Sequence, residues 1–421
     1  MVKLLIIADD ITGALDTGVQ FVNYGVTPIF LVQRRVDFNK YADKPEEVLV
    51  LDVETRHVSA GEAYSIVYQL VRDAVDAGVQ YIYKKTDSGL RGNVASELSA
   101  TLKASGKKFL AFLPAFPKMN RVTAGGVHYI DGVPLRSSVY GKDPFNPVVS
   151  SYIPDLFADF EVEVKVFGKT EHYDTNVQKE TIGVFDTETN QDLNRIVRHL
   201  DKHGQLSALA GCAGGAAVLN RTLGFQWRFR VNPCLNKPLF VVCGSVNPVS
   251  KAQVEYAQRH GFGRTTLSSD RLLKEDGLFT RGGGWFEKLL QECAEAENYI
   301  IDTDAANFAE GVSVEENRKM GLKIAASMGR IVGRLLESGV DKALMIIGGD
   351  TLLGLFESTD CGDIRIVCEL NDGMVLSQIS IKSRKLWLIS KSGGFGGQDL
   401  LVRLAREQKI RRENSIEQKS M

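Results

Sequence analysis

Two glycine-rich turns near the C-terminus each follow an apolar, strand-like run and precede a helix-like stretch. The first, Gly348-Gly349-Asp350-Thr351, leads into Leu352–Glu357; the second, Lys391-Ser392-Gly393-Gly394-Phe395-Gly396-Gly397, leads into Gln398–Glu407. Strand, turn and helix in that order aim free backbone N–H groups and a positive helix end at an anion. One such turn alone reads as a tight βα connection in which glycine supplies positive φ. Two in one domain, with Lys391 and Ser392 beside the second, point to the phosphates of a nucleotide. Ser245 follows another buried-looking strand and reads either as a helix cap or as a phosphate contact. Asp350 either caps the helix after Gly348-Gly349 or stands near a phosphate-bound Mg²⁺.

The first half places charge at successive strand exits, where open α/β sheets bind their ligands. Asp9-Asp10 ends the first run, Asp52 to Arg56 the next, and Lys84-Lys85-Thr86-Asp87-Ser88 a third, with Arg91-Gly92-Asn93 just after. Carboxylates, cations and hydroxyls in this mixture suit a small polyhydroxylated acid. Arg or Lys holds the carboxylate, Asp accepts from hydroxyls, and an Asp beside the reacting hydroxyl can act as general base. The plainer alternatives are an N-cap for one of Asp9 and Asp10, a solvated pair for Lys84-Lys85, and a cap for Thr86 or Asp87. His57 reads as structural. The small-residue run Gly211–Ala217 reads as close backbone packing ahead of ligand contact.

These residues need a scaffold. At 421 residues the chain is long enough for two cores, and 44% hydrophobic with 24% charged residues fits an ordinary globular protein. Lys+Arg 51 against Asp+Glu 52 leaves no excess charge to steer it to nucleic acid or membrane. The short apolar start is cut off by Asp9 and Asp10, and no run approaches the ~18 residues of a membrane helix. A cytoplasmic location is expected. Six cysteines without C-x-x-C spacing and six scattered histidines argue against a protein-only transition-metal site.

Strand and helix signals alternate from Lys3 to Leu113: strands at Lys3–Ala8, Val48–Val53, Gln80–Tyr83 and Phe109–Leu113, helices at Gly13–Tyr24, Ala60–Ala77 and Val94–Ala104. Alternation of this kind predicts a mainly parallel sheet flanked by helices. An irregular excursion from Pro114 to Pro154 contains a small hairpin at Gly125–Gly132. Thr181–Asp186, Gln191–His203 and Ala208–Thr222 resume the pattern. A boundary falls near Arg228–Pro238, and a second α/β series follows with Leu239–Cys243, Pro248–His260, Tyr299–Asp302 and Glu315–Glu337. The expected domains are 1–232 and 233–410, with a charged, frayed tail at 411–421.

No Walker P-loop, kinase H-R-D or D-F-G element is present, and Gly394–Asp399 fails the dinucleotide fingerprint. The chain instead resembles the four-carbon acid sugar kinases over nearly its whole length. Ala8–Gly18, Lys84–Asn93, Pro114–Pro117, Asp143–Pro147, Gly348–Thr351 and Lys391–Gly396 carry the resemblance, in the family's order. Gly89, where members often have Thr, and Leu352, where a small residue is common, depart from it. The resemblance implies an N-terminal domain for the sugar acid, a C-terminal domain for ATP, and a site in the cleft between them. The γ-phosphoryl of Mg²⁺-ATP would pass to the terminal hydroxyl of threonate, erythronate or 3-oxo-tetronate. The acid would meet Asp9 or Asp10, Arg56, Lys84, Lys85, Thr86, Asp87, Ser88 and Arg91. ATP would meet Ser245, Gly348, Gly349, Asp350, Thr351, Lys391, Ser392, Gly393 and Gly394. Asp10 and Asp87 are the candidate bases.

Rival readings are a non-catalytic sensor of the same ligands and a nicotinamide-dependent dehydrogenase. Oligomeric state is open, with a homodimer allowed for. Asp87→Asn is expected to depress turnover far more than ATP affinity in steady-state kinetics; equal loss of both would remove Asp87 from the acid side.

Overall fold

The computed structural model describes residues 2–41, 47–169, 173–227, 233, 235, 237–274, 284–304, 312–359, 361, 364–382 and 384–417, without the side chains of 409–417. The chain divides into two compact units, Met1–Arg230 and Val231–Met421. Most of Arg228–Pro238, where the sequence places the boundary, lies outside the described residues.

The first unit runs β1 (Leu4–Ala8), α1 (Ile11–Val22), β2 (Ile29–Val32), β3 (Val48–Asp52), α2 (Ala60–Asp76), β4 (Tyr81–Lys85), α3 (Val94–Ser105) and β5 (Phe109–Leu113). It continues through β6 (Arg121–Ala124), β7 (Val127–Ile130), β8 (Val133–Pro134), β9 (Glu163–Phe167), β10 (Thr181–Phe185), α4 (Asn190–Lys202), β11 (Ala208–Gly211) and α5 (Ala213–Thr222). Its main sheet has the order β2-β3-β1-β4-β11-β5-β10-β9, parallel throughout. Burial on both faces explains why β1, β3 and β5 read as continuous apolar runs. Leu5, Ile7, Leu49 and Leu51 pack under Val67, Leu70 and Val71 of α2 and Ala104 of α3. On the opposite face α1 packs with α5. The chain leaves β1 for β2 on one side and β3 for β4 on the other, so the connections diverge between β1 and β3. Asp9, Asp10 and Asp52 stand at that switch point.

The sequence reading gave two edge strands, β2 and β9, no place; β2 is an apolar run of only four residues and β9 is interrupted by Glu163 and Lys165. The excursion after β5 folds into the antiparallel set β6-β7-β8. Gly125 and Gly126, both at positive φ, form the turn of its first hairpin. The small-residue run is a packing device. A Cβ on Gly215 would stand 2.6 Å from the Tyr83 hydroxyl, and one on Gly214 2.6 Å from the Ala115 carbonyl oxygen.

The second unit runs β12 (Leu239–Cys243), α6 (Pro248–Arg259), β13 (Gly263–Leu267), α7 (Ser269–Leu273), α8 (Trp285–Glu295), β14 (Tyr299–Thr303) and α9 (Val314–Glu337). There follow β15 (Ala343–Ile347), α10 (Gly349–Ser358), β16 (Arg365–Asn371), β17 (Met374–Ile381), β18 (Arg384–Lys391) and α11 (Leu400–Glu417). The sheet order is β13-β14-β12-β15-β18-β17-β16. It is parallel up to β18 and antiparallel beyond. The sequence reading gave β16 and β17 no place. It also ended the last helix at Glu407, whereas α11 continues to Glu417 through most of the expected tail; 418–421 lie outside the described residues. No described helix is long and apolar enough to cross a membrane. The described cysteines are free thiols, and all but Cys361 are buried.

Helices α9 and α10 touch backbone to backbone. A Cβ on Gly329 would overlap the Gly354 peptide, and one on Gly354 would lie 2.6 Å from the Ala325 carbonyl oxygen. This contact seats α10, whose first residue is Gly349. Gly354→Ala is expected to cost about 1–3 kcal/mol by overpacking, read as a lowered thermal midpoint. An unchanged midpoint would mean that the helices separate without penalty.

Candidate functional site

In the first unit the carboxyl ends of β3, β1 and β4 lie side by side and gather most of the charged residues singled out in the sequence. Arg56 is their centre. Its Nε donates to Asp9 Oδ2 at 2.8 Å, its Nη1 to Asp10 Oδ2 at 2.9 Å, and its Nη2 meets Asp10 Oδ1 at 2.9 Å and Asp87 Oδ1 at 3.4 Å. Arg91 grips Asp87 with two further bonds, Nε to Oδ2 at 2.9 Å and Nη2 to Oδ1 at 3.0 Å, and reaches Asp143 at 3.0 Å. Asp10 is also the N-cap of α1, accepting from the Gly13 N–H at 3.0 Å and the Thr12 hydroxyl at 2.6 Å. A cap and a member of the charged cluster are thus the same residue.

Burial alone would raise the Asp87 carboxyl, but Arg91 and Arg56 overcome it and hold the group well below the usual carboxylate range. Asp10 behaves likewise: burial raises it, while Arg56 and Lys85 bring it below its ordinary value. Both are therefore ionised hydrogen-bond acceptors at neutral pH. Asp52, fully buried at the end of β3, differs. Burial raises its carboxyl, hydrogen bonding by Glu54 offsets only part of this, and the charges of Asp10 and Asp9 add to the rise, to about 7. Its Oδ2 has no hydrogen-bond partner.

The two lysines at the end of β4 part company, because successive strand residues face opposite sides. Lys84 is wholly buried, paired with Glu97 of α3 at 2.9 Å and bonded to the Lys85 carbonyl at 2.8 Å. It braces the strand end from beneath and is withdrawn from any ligand. Lys85 faces α1, where a Cβ on Gly13 would stand 2.6 Å from its Nζ. Among the described residues no group hydrogen-bonds or ion-pairs with that ammonium. Thr86 is buried, its hydroxyl without a partner.

The excursion after β5 supplies residues that the sequence reading missed. Arg121 donates to the Ser88 hydroxyl and, at 2.7 Å, to the Tyr140 hydroxyl. His128 bonds the Ser88 carbonyl at 3.1 Å, and burial pushes its ring down to about 4, so it is neutral. Tyr140 packs over Gly89, where a Cβ would lie 2.6 Å from the ring. Gly89, an outlier in the motif, is thus required by the tyrosine above it. No local pattern marks these residues, since contacts across 33 and 40 positions bring them to Ser88. His57 Nδ1 lies 3.1 Å from the Asn146 amide nitrogen.

In the second unit the ends of β12, β15 and β18 are adjacent, which aligns Gly244-Ser245, Gly348-Gly349 and the Lys391–Gly397 turn. The Gly244 N–H bonds the Ile347 carbonyl at 3.1 Å and the Gly348 N–H the Lys391 carbonyl at 3.2 Å. A side chain on Gly393 would overlap Ser245 Oγ, and one on Gly244 would overlap Thr351 Oγ1. Gly348 needs its glycine for a second reason, a φ of 117° at the N-cap of α10. Ser245, Gly348, Gly349, Asp350, Ser392, Gly393 and Gly394 are half-buried, so this row is open to solvent, whereas Thr351 and Lys391 are buried behind it. Burial brings the Lys391 ammonium down to about 8. Among the described residues no group of three or more His, Cys, Asp or Glu side chains is arranged to hold a metal.

Each unit is thus a helix-flanked, largely parallel sheet, the first with ion pairs at its strand ends and the second with glycine turns. Comparison with known proteins gives the same division. Residues 4–221 match a sugar-binding N-terminal domain and residues 240–401 a nucleotide-binding C-terminal domain. A D-threonate kinase of Bordetella bronchiseptica is 29% identical over 97% of this chain and 98% of its own. A D-erythronate kinase of Heliobacterium modesticaldum is 24% identical over 88% of each chain. A solved Salmonella typhimurium protein, described as a putative tRNA synthase, superposes with a TM-score of 0.73 over 97% of this chain and 100% of its own. At 21% identity that likeness shows the fold alone. The chain belongs to the four-carbon acid sugar kinase family, and it is a phosphotransferase with an alcohol acceptor.

Asp52 gives a test of the cluster's electrostatics. Its pKa is higher in the fold, about 7, than the roughly 3.9 of an unfolded chain. Between those values the folded state holds a proton that the unfolded state has lost, so this contribution falls as pH rises through about 7. Chemical unfolding at pH 5 and pH 8 should show wild type losing stability relative to Asp52→Asn at the higher pH. A constant difference would mean that Asp52 is ionised throughout.

Proposed function

We propose that the chain transfers the γ-phosphoryl group of ATP to the terminal hydroxyl of a four-carbon sugar acid, with threonate and erythronate as the leading acceptors. The observation that carries the proposal is the state of the cations beyond β3, β1 and β4. Arg56 and Arg91 are engaged by carboxylates and Lys84 by Glu97, which leaves the Lys85 ammonium to meet a ligand oxygen. The names of the relatives, a D-threonate kinase and a D-erythronate kinase, support the choice of acids.

In this proposal Asp9, Asp10 and Asp87 accept from the acceptor's hydroxyls; Arg56 and Lys85 keep Asp10 ionised, and Arg91 with Arg56 keeps Asp87 so. Carboxylates held so far down are weak bases. That suffices for phosphoryl transfer, whose loose transition state depends on positioning and charge stabilisation more than on early proton removal. Asp10 is the better placed to take the hydroxyl proton, since Lys85 beside it would offset the phosphoryl charge. Ser245, Gly349–Thr351 and Ser392–Gly394 hold the nucleotide phosphates through backbone N–H groups and the start of α10, with Gly348 setting the turn before it. Mg²⁺ would come bound to the phosphates, as it does where one carboxylate supplements them, here Asp350.

A panel of D- and L-threonate, D- and L-erythronate and 3-oxo-tetronate with Mg²⁺-ATP tests this by ADP release. Turnover with one acid well above the others is expected. Saturable binding of an acid without any ADP would favour the sensor reading instead.

A further inference from the structure

Gln253 lies on α6, fully buried, and nothing in its local sequence marks it. Its Nε2 donates to three carbonyls of the second glycine turn, those of Phe395, Gly396 and Gly397, at 2.9, 3.0 and 3.0 Å. Its Oε1 is buried without a partner, so the amide is placed for its NH₂ group. Two neighbours collect the rest of the turn. Lys391 Nζ reaches the carbonyls of Ser392 and Gly393 at 3.0 and 3.4 Å, and the Ser250 hydroxyl donates to Gly393 at 2.8 Å. Every carbonyl from Ser392 to Gly397 except that of Gly394 is thus drawn into the protein.

A trans peptide points its C=O and its following N–H in opposite directions. Inward carbonyls at Ser392, Gly393, Phe395 and Gly396 therefore turn the N–H groups of Gly393, Gly394, Gly396 and Gly397 outward. Those four N–H groups make no hydrogen bond among the described residues, and they lie at half-buried or exposed positions. Successive outward N–H groups form a concave anion site. Glycine is required because Gly396 has a φ of 85° and Gly393 abuts Ser245.

We infer that Gln253 is a positioning residue for the nucleotide phosphates, setting the second glycine turn with its N–H groups outward, and that Lys391 and Ser250 share this task. The inference rests on the proposed reading of these turns as a nucleotide site. Gln253 touches no phosphate; it acts by fixing peptide planes.

The test is calorimetric titration of the full chain with a non-hydrolysable ATP analogue, alongside KM for ATP and for the sugar acid. Gln253→Leu should weaken nucleotide binding roughly 10- to 100-fold, the effect of losing the buried hydrogen bonds that hold the turn, while KM for the acid stays unchanged. Ser250→Ala, which removes one bond and little volume, should shift the same constant in the same direction by a few fold. Gln253→Glu adds a readout that a packing role would not move. Ionised, it presents no donor; protonated at lower pH it regains one, so its nucleotide affinity should recover relative to wild type as pH falls. A folded Gln253→Leu that binds the analogue within about twofold of wild type would overturn the inference. Should that variant fail to fold, unchanged binding by Ser250→Ala together with a pH-independent Gln253→Glu deficit would do so. If wild type itself bound no nucleotide, the nucleotide reading would fall, and this inference with it.

Discussion

The N-terminal cluster depends on one guanidinium buried among three carboxylates. Removing a charge from water costs several kcal/mol per ion unless partners surround it, and Arg56 meets that condition with Asp9, Asp10 and Asp87 together. The three acids come from the ends of two adjacent strands, and Arg56 from the loop after a third, so the ion pairs also tie the sheet's rim together. Gly92, at a φ of 80°, passes close under the Arg56 side chain, and Asn93 holds the carbonyls of Thr55 and Val58 at 2.8 and 2.9 Å. The ionisation of Asp10 and Asp87 and the burial of Asp52 beside them follow from this arrangement.

The second unit builds its strand ends by a different route, which in the proposed reading serves the nucleotide phosphates. Glycines let β12, β15 and β18 end in turns that abut one another, and side chains beneath the surface hold carbonyls inward. Backbone N–H groups carry the positive end of the dipole without the desolvation cost of a full charge. A contact at Gly329 and Gly354, well behind the turns, seats the helix that begins at Gly349. Each unit thus gathers its polar residues and turns at the rim of a largely parallel sheet and leaves the strands to the core.

Much of this was legible in the sequence. Continuous apolar runs gave β1, β3, β5, β12 and β15, because strands buried on both faces have no alternation to disguise them. Glycines after such runs gave the two turns at the ends of β15 and β18, and the paired Asp9-Asp10 and Lys84–Asp87 gave the charged rim. What the sequence hid is also physical. Strand parity separates Lys84 from Lys85, but which of the two faces a buried acid depends on Glu97, on the helix that follows. Arg121, His128 and Tyr140 reach Ser88 only through the tertiary fold of an irregular segment. Gln253 reads as an ordinary polar residue of an amphipathic helix until three carbonyls are found around its amide. The short edge strands β2 and β9 carry weak patterns, and in β16 and β17 polar residues such as Glu369, Ser377, Gln378 and Ser380 break up the apolar run.

Phosphorus-31 NMR of the full chain incubated with Mg²⁺-ATP and D-threonate or D-erythronate tests the central claim most directly. The account predicts a new phosphomonoester resonance coupled to two methylene protons, which places the phosphoryl group on the terminal carbon. A spectrum showing only ADP and inorganic phosphate, or a phosphate ester on a carbon bearing a single proton, would contradict it.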